Sequence, residues 1–354
     1  MIRVYGREVG WSSFAVVAHG FRPGLEAHGA LAGFVPVDTY DEYATYPGAL
    51  APGAVLCGPP SALPDLQRRG HHRYRALMLA PNSSWLPEGL MRAAREVCTE
   101  ILTPSRWGSV QLACSMRPGF KAPVTVVPHG ILPGFEGADS DGGAGRFRIL
   151  HMTSSAFERK GTEALVEAFF AWPRRPDAEL RIVAEPRAVD DLSQKVADRA
   201  EKAAGPSWVM VEGRKNFDPA QMGRLYRNHD LICQPSRAEG FGLVPLEARA
   251  AGVPVALTAC TGHLEYLDSI LDGATVAIET GPDGPIDEGE PSAGAMAPTV
   301  QVEAIMGALE TSFTLSARMR EIAAEAAVAI RERWAWDKVL APWIDGLRER
   351  LEER

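Results

Sequence analysis

Glu239 and Glu247 flank a Gly-Phe-Gly turn in the stretch Pro235-Ser-Arg-Ala-Glu-Gly-Phe-Gly-Leu-Val-Pro-Leu-Glu-Ala-Arg-Ala-Ala-Gly-Val-Pro254, with seven residues between the two carboxylates. The run Asp230–Cys233, rich in apolar residues, predicts a strand just before it. Leu243, Val244, Leu246 and Ala250 predict one face of a short helix that stops at Gly252. Glu239 therefore falls in a loop and Glu247 on the helix that follows. Eight helical steps would part them by about 12 Å, and the turn shortens this. Gly240 and Gly242 let the backbone approach a ligand closely, and the N–H groups of the first helical turn face whatever lies there. Hydrogen bonds and the helix dipole favour an anion at that place. Two carboxylates beside an amide-lined notch for an anion suit a nucleotide-sugar diphosphate.

A diphosphate leaving group must have its developing charge neutralised, by a metal or by fixed cations with backbone donors. The sequence offers cations. Arg159 and Lys160 follow the predicted strand Arg148–Met152 and open the predicted helix Gly161–Trp172, which puts them at the carboxyl end of a strand. Asp139-Ser140-Asp141 lies in a glycine-rich linker instead of a loop after a strand, so no metal site is assigned. The loop Glu212-Gly213-Arg214-Lys215-Asn216 follows another predicted strand, Trp208–Val211.

The elements that must position these groups alternate throughout. Apolar runs at 2–5, 33–37, 54–57, 76–79, 100–102 and 124–127 predict strands, and amphipathic stretches at 13–27, 88–98 and 106–115 predict helices between them. The second half repeats the pattern from 148 to 278, with residues 280–297 as an irregular insertion rich in Gly, Pro, Asp and Ser. Three helical runs follow, the last from Asp337. This grammar predicts an α/β protein with parallel sheets and crossover helices. The 354-residue length suggests two units. We place an N-terminal Rossmann-like domain at 1–133, a linker at 134–145 and a C-terminal Rossmann-like domain at 146–336, followed by a final helix at 337–354.

The stretch around the two glutamates resembles the Glu-x7-Glu motif of retaining glycosyltransferases of family 4, and Glu158-Arg-Lys-Gly-Thr-Glu-Ala-Leu-Val-Glu-Ala-Phe169 is similar to the Lys-Gly segment of the same family. The detail of Glu239–Leu267 resembles phage-encoded members in particular. The resemblance covers 146–336 well and the first half by pattern only. It implies a GT-B fold, two Rossmann-like domains with parallel sheets facing across a cleft, and a final helix that crosses back to the first domain. It implies Lys160 on the diphosphate with Arg159 beside it, although Ser154 and Ser155 stand where the family usually has an arginine. Glu239 would meet the donor sugar and Glu247 the ribose hydroxyls, with Gly240, Phe241, Gly242, Leu243 and Val244 around the phosphates. Gly213, Arg214 and Asn216 would contact the base, and Gly10 the diphosphate. Val127-Pro-His-Gly-Ile131 is similar to the family's Pro-Asn-Gly-Val element, which makes His129 an acceptor or sugar contact. Asn82, a further acceptor contact, stands where many members carry a cleft histidine.

The implied activity is retaining, metal-independent transfer of a hexose from a nucleoside-diphosphate sugar to a hydroxyl acceptor. No cofactor is expected; the donor, with a UDP-sugar favoured, is a co-substrate. A second reading is a phage-type glycosyltransferase acting on hydroxymethylated pyrimidine bases in DNA. There the basic segment Arg68-Arg-Gly-His-His-Arg-Tyr-Arg75, including Arg73 and Arg75, would bind phosphates. A third is a non-catalytic sugar-nucleotide-binding protein. The helix at 13–27 has one apolar face, Phe14, Val16, Val17, Phe21 and Leu25, but a single basic residue, Arg22, which argues against a lipid acceptor. A glycosidase pair would need its two carboxylates on opposite sides of one bond, which a loop and its following helix do poorly.

Composition sets the remaining bounds. Apolar residues make up 46% and charged residues 23%, as in soluble globular proteins. Absence of 18 continuous apolar residues and of a leader pattern gives a cytoplasmic expectation with no integral membrane association. Five scattered cysteines lack metal spacing and read as buried thiols. The net charge of −8 is uneven: residues beyond 150 carry −10, while the first 150 carry +2 and suit an acidic acceptor.

Overall fold

The computed structural model describes residues 1–6, 13–36, 53–57, 73–81, 94, 96–115, 122–137, 145–203, 205, 208–286 and 295–352. The chain divides into two compact units, Met1–Leu132 with Glu332–Arg354, and Pro133–Arg331. The first break falls beside the expected 133, and the chain rejoins the first unit at Glu332, a few residues before the expected 337. Of the expected linker, residues 138–144 lie outside the described residues. Pro133–Gly137 belongs to the second unit.

In the first unit, β1 (Ile2–Gly6), β2 (Leu31–Pro36), β3 (Gly53–Cys57), β4 (Tyr74–Met78), β5 (Glu100–Thr103) and β6 (Val124–Val126) form one sheet in the order β2-β1-β3-β4-β5-β6. All neighbours pair in parallel. β3 is buried at every position, as a parallel strand covered on both faces should be. α1 (Ser13–Ala27) buries Val17, Phe21 and Leu25, spaced to lie on one face, and α2 (Arg106–Ser115) follows β5. The C-terminal helix Trp336–Glu352 buries Trp336, Leu340, Trp343, Ile344 and Leu347 along one stripe. Its Trp336 and Trp343 rings lie 5.5 and 5.9 Å from the ring of Phe21. The apolar face of α1 is thus covered by the chain's own last helix.

In the second unit, β7 (Phe147–Met152), β8 (Ala178–Ala184), β9 (Val209–Gly213), β10 (Leu231–Gln234), β11 (Val255–Thr258) and β12 (Thr275–Ile278) form a parallel sheet in the order β12-β11-β10-β7-β8-β9. Between them run α3 (Thr162–Ala171), α4 (Val189–Lys202), α5 (Pro219–Arg227), α6 (Leu243–Ala250) and α7 (Leu267–Ile270); α8 (Val302–Thr314) and α9 (Ser316–Arg333) follow. Leu165, Phe169, Ile182, Leu231 and Leu309 lie in one buried cluster that joins sheet to helices. The chain lays β7, β8 and β9 in one direction, then returns to start β10 on the other side of β7. The carboxyl ends of β7 and β10 therefore mark the point where the strand order reverses, the place where open α/β sheets bind ligands.

Two expectations are corrected. Cys114, on α2, is exposed, where all five cysteines read as buried thiols. Residues 280–297 contain an antiparallel pair, β13 (Asp283–Ile286) with β14 (Ala295–Pro298), where the composition predicted an irregular insertion. Asp-Gly-Pro-Ile and Ala-Met-Ala-Pro lack the alternation of a self-evident strand. The pair packs Ile286 and Ala297 on Ala238, beside the first site glutamate, and Arg237 bonds its carbonyls.

Candidate functional site

The loops after β7 and β10 are bound to each other. Arg237 N donates to Arg159 O at 2.7 Å, and Arg159 Nη1 donates to Ala238 O at 2.9 Å. Lys160 Nζ donates to Glu239 Oε1 at 2.5 Å, with Arg159 Nη1 3.7 Å from Glu239 Oε2. Burial would raise the Glu239 carboxyl, but the charges of Lys160 and Arg159 overcome this and hold it at about 2. Glu239 is therefore a fixed carboxylate. Burial lowers Lys160, against the pull of Glu239. Arg237 reaches outward to Glu158 and to the carbonyls of Pro298, Gly284 and Ala297, which ties the β13–β14 hairpin to the loop that carries Glu239.

Gly161 explains how Lys160 is brought so near. It opens α3 in the left-handed region, φ 66°, and a Cβ there would meet Pro235 O at 2.1 Å. Behind it His151 bridges the two loops' strands, its Nδ1 2.9 Å from Cys233 O and its Nε2 2.9 Å from Thr162 Oγ1. Burial holds the imidazole down at about 4, so it stays neutral. Gly161→Ala should destabilise the protein by at least about 2 kcal/mol, from left-handed strain plus displacement of the Pro235 backbone. Urea unfolding measures this; a shift below about 0.5 kcal/mol would mean the two loops tolerate separation.

α6 starts in the same way. Gly242 precedes it at φ 82°, with a would-be Cβ 2.4 Å from the His263 ring. Among the described residues no side chain caps either α3 or α6. The short 3-10 turn Thr261–Glu265 closes the notch from the β11 side: Thr261 Oγ1 accepts from Glu239 N at 3.0 Å, and Tyr266 OH donates to Gly242 O at 2.6 Å. Thr261 holds a positive φ of 50°, rare for a threonine. His263 Nδ1 lies 2.9 Å from Thr258 O, and burial lowers its titration. Pro235 to Phe241 are buried, whereas Gly242, Leu243, Val244 and Glu247 are partly open. The accessible surface is thus the uncapped start of α6, with Glu239 at its edge.

Glu247 projects from α6 towards α5, where Tyr226 OH donates to its Oε2 at 2.8 Å. Burial raises the Glu247 carboxyl above the ordinary range; the Tyr226 hydrogen bond and the Arg214 charge oppose this. Arg214 follows β9, where its N donates to Ala184 O at 2.7 Å, and its charge also acts on Lys160 and Tyr226. Gly213, Arg214 and Asn216 thus stand at the carboxyl edge of the same sheet as both glutamates.

Sequence reasoning missed Tyr226, His151, Arg237 and Thr261. Tyr226 reads as an apolar position of an amphipathic helix, and nothing in its spacing links it to Glu247. Other expected contacts are placed in the first unit. His129 is buried with its ring 6.1 Å from Trp336, and burial holds it neutral, at about 3. Arg73 precedes β4, and Arg75 lies at its amino end with Nε donating to Val97 O at 2.6 Å. Neither is at the carboxyl edge of its sheet. Gly10, Asn82 and residues 68–72 lie outside the described residues.

Residues 110–342 match the family model described as Family 4 Glycosyltransferase in conflict systems. A D-inositol 3-phosphate glycosyltransferase of Rhodococcus erythropolis is 33% identical over 131 residues, 37% of this chain and 24% of that protein. The lipopolysaccharide glucosyltransferase WaaG of Escherichia coli is 29% identical over 133 residues, 36% of this chain and 33% of that protein. The aligned segment spans about a quarter to a third of these relatives' length. Among solved structures, Anabaena Alr3699/HepE in complex with UDP and glucose superposes with a TM-score of 0.70 at 14% identity, over 99% of this chain and 100% of that one. WaaG superposes with a TM-score of 0.61 at 15% identity, over 96% and 99%. These likenesses show the fold, two Rossmann-like units of the GT-B type. Among the described residues no helix is long and apolar enough to cross a membrane. Since the family model matches most of the chain, including both glycine-started helices and both glutamates, the protein belongs to the family 4 glycosyltransferases of conflict systems.

Proposed function

We propose that this protein moves a hexose from a nucleoside-diphosphate sugar to a hydroxyl-bearing acceptor, with retention at the anomeric carbon and without a metal in the transfer step. The observation that carries the reading is the Lys160–Glu239 pair at the switch point, set between two helices that start on glycine. Lys160 and Glu239 offset each other's charge. With donor present, the diphosphate takes Lys160 and the amides of Leu243 and Val244, and a hydroxyl of the transferred sugar donates to Glu239. Both partners are positioned in advance, so little reorganisation is left for the transition state. Glu247 accepts from the ribose, and the 213–216 loop meets the base. The UDP held by the Anabaena neighbour supports a uridine donor.

The acidity of Glu239 supports the stereochemical course. A carboxyl held at about 2 is a very weak base at neutral pH, so it does not take the acceptor's proton. The bond from the anomeric carbon to the phosphate oxygen breaks with its electron pair going to the nucleoside diphosphate. The acceptor oxygen bonds the same face of that carbon, and its proton passes to the departing phosphate oxygen. Lys160 and the α6 amides stabilise the charge meanwhile.

A thermal-shift panel of UDP, GDP and ADP, followed by mass spectrometry of acceptors, tests the reading. Soluble sugars and hydroxymethylcytosine DNA both belong in the acceptor set, so that the DNA reading is decided in the same experiment. Transfer in excess EDTA should equal transfer without it, because Lys160 supplies the cation. A loss of more than about tenfold in EDTA, about 1.4 kcal/mol of barrier, would reject the metal-free step.

A further inference from the structure

Tyr226 is fully buried, yet its hydroxyl is aimed at a partly open carboxylate. Its ring stacks on Phe135, centroids 6.2 Å apart and planes within 14°. Phe135 is only 2% exposed, and the next residue of α5, Arg227, donates through Nη1 to Phe135 O at 2.7 Å. The segment that leads into the second unit is therefore fastened across α5 at the turn that reaches Glu247. Such a clamp leaves the Tyr226 ring few alternative rotamers and fixes where its hydroxyl points.

We propose that Tyr226, clamped by Phe135, is a positioning residue that holds Glu247 to receive a ribose 2′-hydroxyl, so that the site selects ribonucleoside over 2′-deoxyribonucleoside diphosphates. The inference rests on the donor reading above and assigns to the α5 tyrosine a task that the glutamate pair alone does not explain. One oxygen of Glu247 is taken by Tyr226, which turns the other towards ligand. With one oxygen accepting from Tyr226 and the other from a sugar hydroxyl, the carboxyl accepts at both oxygens, which the ionised form does best. Burial works against ionisation here, and the groups that oppose it are the Tyr226 hydroxyl from α5 and Arg214 from the loop after β9; Tyr266 also feels the Glu247 charge. Losing the tyrosine hydroxyl should therefore move Glu247 protonation to higher pH and weaken nucleotide binding as pH falls.

The probes are whichever of UDP, GDP and ADP the wild-type protein binds most tightly, and the 2′-deoxy form of that nucleotide, titrated by calorimetry between pH 5.5 and 8 (~pH steps of half a unit). Wild type should prefer the ribo form by about tenfold or more, the worth of a hydrogen bond to a charged group. Tyr226→Phe keeps the ring on Phe135. It should weaken the ribo form about ten- to hundredfold, bring the ribo-to-deoxy ratio near one, and shift the acid loss of binding to higher pH. Glu247→Gln retains an acceptor for the tyrosine but cannot ionise, and should bind weakly with no pH dependence from this group. Unchanged affinity, ratio and pH profile in a folded Tyr226→Phe protein would overturn the inference while the donor reading stands. Wild type that binds none of the three nucleotides would overturn the donor reading, and the inference with it.

Discussion

Lys160→Ala should lower turnover about a hundred- to a thousandfold, the usual consequence of deleting one preorganised group that stabilises transition-state charge. The lysine is held for this purpose by structure on both sides: Gly161 turns the chain against Pro235, and Glu239 receives the ammonium at 2.5 Å. Its removal leaves Glu239 with the longer ion pair to Arg159, 3.7 Å away. The fold should survive, because Arg159 still offsets the carboxylate and the deleted side chain borders the open part of the notch. Steady-state kinetics with donor held saturating separates this loss in kcat from weaker donor binding. Turnover within about twofold of wild type, some 0.4 kcal/mol, would remove Lys160 from the transfer step.

Glu239→Ala is the larger insult to the protein as a whole. It takes the carboxylate away from Lys160, whose side chain is 19% exposed, and from Arg159, which keeps its hydrogen bond to Ala238 O. Breaking a buried pair by removing one partner costs about 3–5 kcal/mol, since the remaining charge keeps its desolvation penalty and loses its compensation. Chemical denaturation should show that loss, and transfer should fall to a trace because nothing then orients the donor sugar. Removing Lys160 as well should recover part of the stability, and a double-mutant cycle reads the coupling. The pH dependence has a defined sign. Glu239 titrates at about 2 when folded against 4.5 ordinarily, so its contribution is complete above about pH 4.5 and disappears as pH falls towards 2. Glu239→Ala should lack that acid-dependent component. Equal stability of wild type and variant at neutral pH would contradict the pairing.

Much of this was legible in the residues. Twelve parallel strands were visible as apolar runs because strands covered on both faces, such as Gly53–Cys57, have no polar alternation to conceal them. The two glycines that start α3 and α6 and the spacing of the glutamates also gave the site its outline. What escaped reading depends on distant contacts. Tyr226 acts on Glu247 from another helix, and its role appears only once α5 and α6 pack. Phe135 sits among Gly and Pro in a stretch that reads as linker, yet it is buried beneath α5. The β13–β14 hairpin is fixed by Arg237, whose guanidinium reaches three hairpin carbonyls. Arg237 looked like an ordinary loop arginine because a side chain's bonds to remote carbonyls leave no trace in local pattern.

A crystal structure with UDP bound, or with whichever nucleoside diphosphate binds best, puts the central claim to its most direct test. The diphosphate should lie within hydrogen-bond distance of Lys160 Nζ and of the amides of Leu243 and Val244, with the ribose on Glu247. A diphosphate seated elsewhere, with Lys160 and Glu239 paired as they are without ligand, would contradict the account.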